Sequence, residues 1–276
     1  MSAPESEWTA AVAALRAHRE ITRVCHVNPD GAALGALLAL GIALRAAGKS
    51  VRASWGSEPF EVPASYRSLP GQDLLAPASE LPHSPELLVT FDTGSTDRLG
   101  SLADLVEAAG EVLVLDHHVT NTRFGSINVV DESAAATAVV VVELLDRMGL
   151  ALTAEVAAPV YTGLVTDTGS FKYAATTPAV HQLAARLLAT GIAHDQISRH
   201  IWDTEPFSYV QLLGAACSRA VLEADAVNGL GLVWTSVTAE DLQATGLALS
   251  DVEGVIDALR VAQEAEVAAV VKADPA

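Results

Sequence analysis

Short apolar runs alternate with longer segments of helical periodicity through roughly the first 190 residues. ITRVCHV (21–27), VRASW (51–55), ELLVTFD (86–92), EVLVLD (111–116) and GSINVVD (125–131) read as strands. ALGALLALGIALRAA (33–47), STDRLGSLADLVEAAG (95–110), SAAATAVVVVELLDRMG (133–149), AEVAAPVYTGLVTDTG (154–169) and TPAVHQLAARLLATG (177–191) read as helices, several closed by glycine. A stretch carrying Pro59, Pro63, Pro70, Pro77, Pro82 and Pro85 reads mainly as loop. This alternation predicts a doubly wound, mostly parallel α/β sheet with helices on both faces.

Beyond about residue 192 the pattern changes. Residues 197–224 read as helical connector, GLGLVWTSV (229–237) as a strand, AEDLQATG (239–246) and LSDVEGVIDALR (249–260) as helices, and AEVAAVVKADPA (265–276) as a strand that stops. The expected organisation is a main domain over 1–195, a connector over 196–222, and a smaller, partial α/β domain over 223–276 that reads as truncated.

Composition narrows the partners. Half of the 276 residues are apolar, enough for a substantial core. The 34 acidic against 16 basic residues give a formal charge of −18, which opposes a broad grip on long nucleic acid or an anionic membrane. An anionic substrate therefore needs a local cationic site. MSAPESEW has neither a basic nor an apolar leader region, so a cytoplasmic location is expected. The apolar stretches 33–44 and 134–142 end at Arg45 and Glu143, too short to span a bilayer. Cys25 and Cys217 have no partner spacing for a disulfide framework or a cysteine zinc site.

The polar residues that follow the apolar runs are the candidates for chemistry, because open parallel sheets bind ligands outside the carboxyl ends of their strands. They are His26 and Asp30 in HVNPDGAALG, then Asp92, the tripeptide Asp116-His117-His118, and Asp167. VTFDTGS (89–95) and LVTDTGS (164–170) are near copies, and either one alone reads as an ordinary Asp-Thr-Gly turn. LDHH is more telling: three titratable groups at the end of a buried strand cost desolvation energy unless something pairs with them. Histidines and aspartates without cysteine suit Mn²⁺ or Mg²⁺, and a two-ion site suits phosphoryl transfer. The aspartic peptidases share an FDTGS-like turn but look all-β, and that reading leaves Asp116, His117 and His118 without a role.

HVNPDGAALG (26–35), LLVTFDTGS (87–95), VLVLDHHVTN (112–121) and GLVTDTGSF (163–171) resemble, in order and spacing, the motifs of the DHH phosphoesterases. More narrowly, they resemble the bacterial NrnA-like oligoribonuclease and phosphoadenosine-phosphate phosphatase group, with its DHH-associated C-terminal domain. The likeness covers essentially residues 20–200. It implies a DHH catalytic domain over 1–195, two manganese ions, and substrates among nanoRNA, linear or cyclic dinucleotides and 3′-phosphoadenosine 5′-phosphate (pAp). It also implies a homodimer.

Carried over by residue, the resemblance makes His26, Asp30 and Asp92 ligands of one ion, and Asp92, His117 and Asp167 ligands of the second. Asp116 would orient the site from its rim, His118 would contact phosphate or protonate the leaving oxygen, and Asn121 and Ser170 would touch substrate. Two departures stand out. The family pattern has an aspartate where this chain has Ala32, so the second ion is expected to bind poorly and turnover to be impaired; an introduced inactivation is the preferred reading. The glycine-rich segment ending in histidine is absent after residue 222. Two alternatives remain: a manganese-dependent inorganic pyrophosphatase, disfavoured because Arg260 and Lys272 are the only basic residues after 222, and a catalytically dead nucleotide-binding protein.

Overall fold

The structure, a computed structural model, describes residues 2–273. The chain divides into two compact units between Trp202 and Asp203, inside the stretch expected as a connector.

The first unit opens with α1 (Glu5–Ala17), which the sequence reading left out because its buried stripe of Trp8, Ala11, Ala14 and Leu15 is half alanine. Then come β1 (Glu20–Cys25), α2 (Gly31–Ala46) and β2 (Ser50–Trp55), followed by the Pro-rich stretch and β3 (Leu87–Phe91). After the short α3 (Leu105–Ala108), β4 (Glu111–Asp116) and β5 (Ile127–Val130) complete a sheet of order β2-β1-β3-β4-β5, parallel throughout. β3 is buried at every residue, as expected of a strand covered on both faces. The order reverses between β1 and β3, which makes the cleft at their carboxyl ends the place where such sheets bind ligands.

The larger core lies on one face, under α1, α2, α4 (Thr137–Met148) and α5 (Ala154–Asp167). α2 is apolar all round and buried from Gly31 to Leu44, because it lies between the sheet and α4 and α5. It runs antiparallel to α5 at very short range. A Cβ on Gly35 would stand 2.4 Å from the Pro159 carbonyl oxygen and 2.9 Å from the Gly163 nitrogen. Only glycine permits that approach, and it sets the last turn of α5 beside the first turn of α2. The helices α6 (Pro178–Leu188) and α7 (His194–Trp202) finish the unit.

The other face departs from expectation. Its smaller core, with Val24, Leu88, Val112 and Val114, is covered by 3₁₀ turns and α3 rather than by one long helix over 95–110. The segment Thr96–Leu102 is a 3₁₀ run broken at Gly100, where φ is 58°. A Cβ there would lie 2.4 Å from Val27 and 2.8 Å from the Gly56 carbonyl oxygen, and Val27 N bonds Arg98 O at 2.9 Å. The chain folds back over the ends of β1 and β2 instead of continuing as helix.

The second unit holds α8 (Phe207–Ser218), β6 (Val221–Glu223), the single turn α9 (Ala226–Gly229), β7 (Leu232–Val237), α10 (Ala239–Thr245), α11 (Val255–Leu259) and β8 (Val267–Lys272). Its sheet has the order β6-β7-β8, antiparallel then parallel. Thr238 and Asp241 form a reciprocal cap that starts α10. The helix expected over 249–260 is a 3₁₀ turn at Leu249–Val252 followed by α11. Of the strand expected over 265–276, residues 274–276 lie outside the described residues. Among the described residues no helix is long and apolar enough to cross a membrane.

Candidate metal centre

The sheet register carries three functional segments to one edge. Cys25 stands opposite Phe91, and Phe91 opposite Leu115, so His26, Asp92 and Asp116 leave their strands side by side. Asp92 adopts a left-handed φ of 55° while its amide still bonds the Leu115 carbonyl at 3.0 Å. The ladder thus runs one residue further as the carboxylate turns over the sheet edge, a strained backbone of the kind found at functional sites. Asp30 caps α2, its Oδ1 accepting from the Ala32 and Ala33 amides at 3.0 Å each. Asp167 arrives differently, as the last residue of α5. The two Asp-Thr-Gly copies therefore lie in different local structures, one after a strand and one after a helix.

Asp92 is the hub. Its Oδ2 lies 3.8 Å from His26 Nε2, and its Oδ1 3.6 Å from His117 Nε2 and 3.8 Å from His118 Nδ1. His26 Nε2 is also 3.7 Å from Asp30 Oδ1, and His117 Nε2 3.3 Å from Asp167 Oδ2. Both rings are set by their other nitrogen: His26 Nδ1 donates to Val27 O at 2.8 Å and His117 Nδ1 to Ala134 O at 3.1 Å. A carbonyl only accepts, so Nδ1 carries the proton, and the neutral form of either ring, the form that binds a metal, turns its Nε2 lone pair toward carboxylate oxygens. Nitrogen lone pairs and carboxylate oxygens that face one another at 3.3–3.8 Å with no proton between them make a cation-shaped site. Among the described residues, two trios bring their ligand atoms close enough to hold one ion, His26/Asp30/Asp92 and Asp92/His117/His118, sharing Asp92.

In the second trio His118 is already committed, since its Nδ1 bonds Asp116 Oδ1 at 2.7 Å. Asp167 is the better third donor to a cation there. Its Oδ2 is buried without a hydrogen-bond partner, and it sits at the negative end of the α5 dipole. Burial, then the charges of Asp92 and Asp30, push its carboxyl up to about 8. A divalent cation beside Asp92, His117 and Asp167 would satisfy the orphaned oxygen and offset these repulsions, so the donor set fits one. Burial and then Asp30 also raise Asp92, against the Thr137 hydroxyl that lowers it. Burial opposes ionisation of Asp30, but the His26 bond and the Ala33 and Ala32 amides outweigh it and leave Asp30 below the usual range.

Two expected residues, Asp116 and Asn121, are placed otherwise than the sequence reading had them. Asp116 is fully buried beneath the site, not on its rim, because it accepts from His117 N at 2.8 Å, His118 Nδ1 at 2.7 Å and Asn121 Nδ2 at 2.6 Å. Asn121 is a brace rather than a free substrate contact: it also donates to Thr93 O at 3.0 Å and accepts from Arg123 N at 2.6 Å. Ala32 is fully buried and supplies no ligand, its Cα lying 3.4 Å from where a Cβ on Gly163 would stand. Ser170 is exposed on the turn after Asp167. Thr137 is a residue the sequence reading missed. It opens α4 and donates to Asp92 Oδ1 at 2.7 Å, and its signal was a single hydroxyl within the apolar run AAATAVVVV.

The match to the model of the DHH family, N-terminal domain, runs over residues 20–164, more than half of the chain, and contains every candidate ligand except Asp167. The chain belongs to the DHH family. Over 194 residues this DHH chain is 41% identical to the bifunctional oligoribonuclease and PAP phosphatase NrnA of Thermus thermophilus, spanning 70% of the chain and 56% of that protein. It is 26% identical over 204 residues to the probable bifunctional oligoribonuclease and PAP phosphatase NrnA of Streptococcus mutans, spanning 73% and 62%. The chain spans about half the length of the curated relatives it matches. In fold it is similar to an exopolyphosphatase-related protein from Bacteroides fragilis, with a TM-score of 0.85 at 23% identity over 95% of this chain and 78% of that one.

Proposed function

We propose that this DHH chain is a metal-dependent phosphoesterase acting on short oligoribonucleotides, linear or cyclic dinucleotides or 3′-phosphoadenosine 5′-phosphate, and that Ala32 impairs it. The observation that carries the reading is Asp92, whose two oxygens face His26 on one side and His117 on the other. His26, Asp30 and Asp92 would hold one divalent ion, and Asp92, His117 and Asp167 the second. Manganese is the proposed ion, with magnesium as a substitute. Bound there, such ions supply Lewis acidity toward phosphoryl oxygens and the positive charge that a chain of net charge −18 lacks.

The chain's own residues do the rest. Asp116 holds the proton on His118 Nδ1 and raises that imidazole to about 9, leaving it charged at neutral pH with Nε2–H available to a phosphate or leaving oxygen. His118 is half exposed, within reach of a ligand in the cleft. Asn121 and Thr93 tie the loops after β4 and β3 together so that the His118 and Asp92 segments keep a fixed relation. The substrate class is supported by the names of the relatives and by the absence of a basic groove in the sequence. A homodimer belongs to the same reading, through the family resemblance.

The test is release of mononucleotide from a 5′-phosphorylated dinucleotide with Mn²⁺, for the chain as it stands, Ala32→Asp and Asp92→Asn. Ala32→Asp should raise turnover at least tenfold, and Asp92→Asn should abolish it. The reading is overturned if neither the chain nor Ala32→Asp cleaves dinucleotide or pAp with Mn²⁺ or Mg²⁺. The missing carboxylate at position 32 favours one other reading, a nucleotide-binding protein without turnover. Saturable pAp binding with no activity gained by Ala32→Asp would select it.

A further inference from the structure

Tyr66 closes a 3₁₀ turn, Ala64–Tyr66, inside the Pro-rich stretch between β2 and β3, where no motif drew attention to it. Its backbone is tightly held. Tyr66 N donates to Pro63 O at 2.9 Å, and Tyr66 O accepts from Leu69 N and from Gln72 Nε2, both at 3.1 Å. The ring is thereby pressed against the start of α2. A Cβ on Gly31 would stand 3.1 Å from Tyr66 Cε1 and 2.6 Å from Thr166 Cγ2, so Gly31 is clasped between the Tyr66 ring and the last turn of α5.

The first turn of a helix has amides that need partners from outside it. In α2, the Ala32 and Ala33 amides go to Asp30 Oδ1, and Leu34 N goes to Asp30 O at 3.0 Å. The remaining amide, of Gly31, belongs to the residue against which Tyr66 Cε1, the ring carbon beside the phenolic carbon, is packed. Burial and then the charge of Asp30 push that phenol up to about 12, with the Gly31 amide easing it and Asp167 adding to the rise. The hydroxyl keeps its proton at every working pH.

We propose that Tyr66 is a positioning residue of the metal centre: its ring edge and the hydroxyl on it pack against the first turn of α2 at Gly31 and so fix the Asp30 carboxylate against His26 and Asp92. This rests on the metal-centre reading given above. Because Ala32 leaves the second group short of a ligand, the trio containing Asp30 carries most of the affinity, and a residue that aims Asp30 governs it.

The experiment is Mn²⁺ titration by calorimetry on the whole chain, Tyr66→Phe, Asp30→Asn and the double variant, with thermal unfolding in chelator alongside. Tyr66→Phe removes one oxygen and keeps the ring. It should leave the chelator Tm nearly unchanged, weaken Mn²⁺ about tenfold, and have no further effect in the Asp30→Asn background. The proposal is overturned if Tyr66→Phe binds Mn²⁺ as tightly as the parent, if its deficit persists undiminished in Asp30→Asn, or if it unfolds in chelator, which would assign the phenol to the scaffold. If Asp30→Asn itself leaves Mn²⁺ affinity unchanged, the metal-centre reading fails, and the role of Tyr66 fails with it.

Discussion

His118 Nδ1 lies 2.7 Å from Asp116 Oδ1, and Asp116 is fully buried while His118 is half exposed. A buried carboxylate with three donors behind an exposed imidazole is a device for keeping that imidazole charged. The Asp116 bond is the largest cause of the rise of His118 to about 9, against burial, which lowers it, with the Asp116, Asp92 and Asp167 charges adding to the rise.

Asp116→Asn removes the negative charge and keeps the shape. The His118 midpoint, followed by NMR in metal-free protein, is expected to fall from about 9 toward the ordinary 6.5. A midpoint that stays near 9 in the variant would show that Asp92 and Asp167, not Asp116, charge the ring.

Metal-free protein should lose stability as pH rises. Asp167 binds its proton up to about 8 when folded but only to the ordinary 3.8 when unfolded, so folding takes up a proton across that window and each pH unit upward weakens the fold. His118 has the same sign: its contribution is complete below 6.5 and is lost as pH rises through about 9. Asp30 and Asp116, held low, act with the opposite sign only in the acid range below the usual carboxylate value. Thermal unfolding in chelator should therefore show Tm falling by several degrees between about pH 6.5 and 9, and Asp167→Asn should flatten the slope. A Tm that rises over this range contradicts the assignment.

Thr137→Val keeps the shape of a buried side chain while removing the donor to Asp92 Oδ1. Mn²⁺ affinity should weaken by about tenfold, because the outer partner of a ligand sets its orientation. Unchanged affinity in the variant would show that the helix start alone positions Asp92.

Arg23 is fully buried on β1, its Nη1 on Leu37 O and its Nε and Nη2 without partners, and Gly41 makes room for it: a Cβ there would stand 1.7 Å from Nη1. Burial, with Arg45 assisting, lowers the guanidinium to about 9. Arg23→Met should stabilise the protein by about 1–3 kcal/mol in denaturant unfolding, since it removes an uncompensated buried charge. Gly41→Ala should cost about 1–3 kcal/mol in the parent and much less in the Arg23→Met background. A destabilised Arg23→Met would mean that the guanidinium has satisfied partners in solution.

The amino-acid sequence by itself determined the sheet and the residues that gather at its edge. Five apolar runs of strand length, each followed by polar residues, are enough to place His26, Asp92 and Asp116 in one cleft, because parallel strands deliver their carboxyl ends to the same side. The helix over 95–110 could not be read correctly, because its periodicity is genuine and only the contact of Gly100 with Gly56 and Val27 breaks it. Asp167 marks the same limit. A helix can point its last residue anywhere, and it is the glycine-to-glycine packing of α2 on α5 that brings this carboxylate to His117. Thr137, Tyr66 and the burial of Asp116 depend wholly on such packing. Local pattern fixes which residues leave a strand or helix end, but the partner each one meets is decided by how closely two remote segments are allowed to approach.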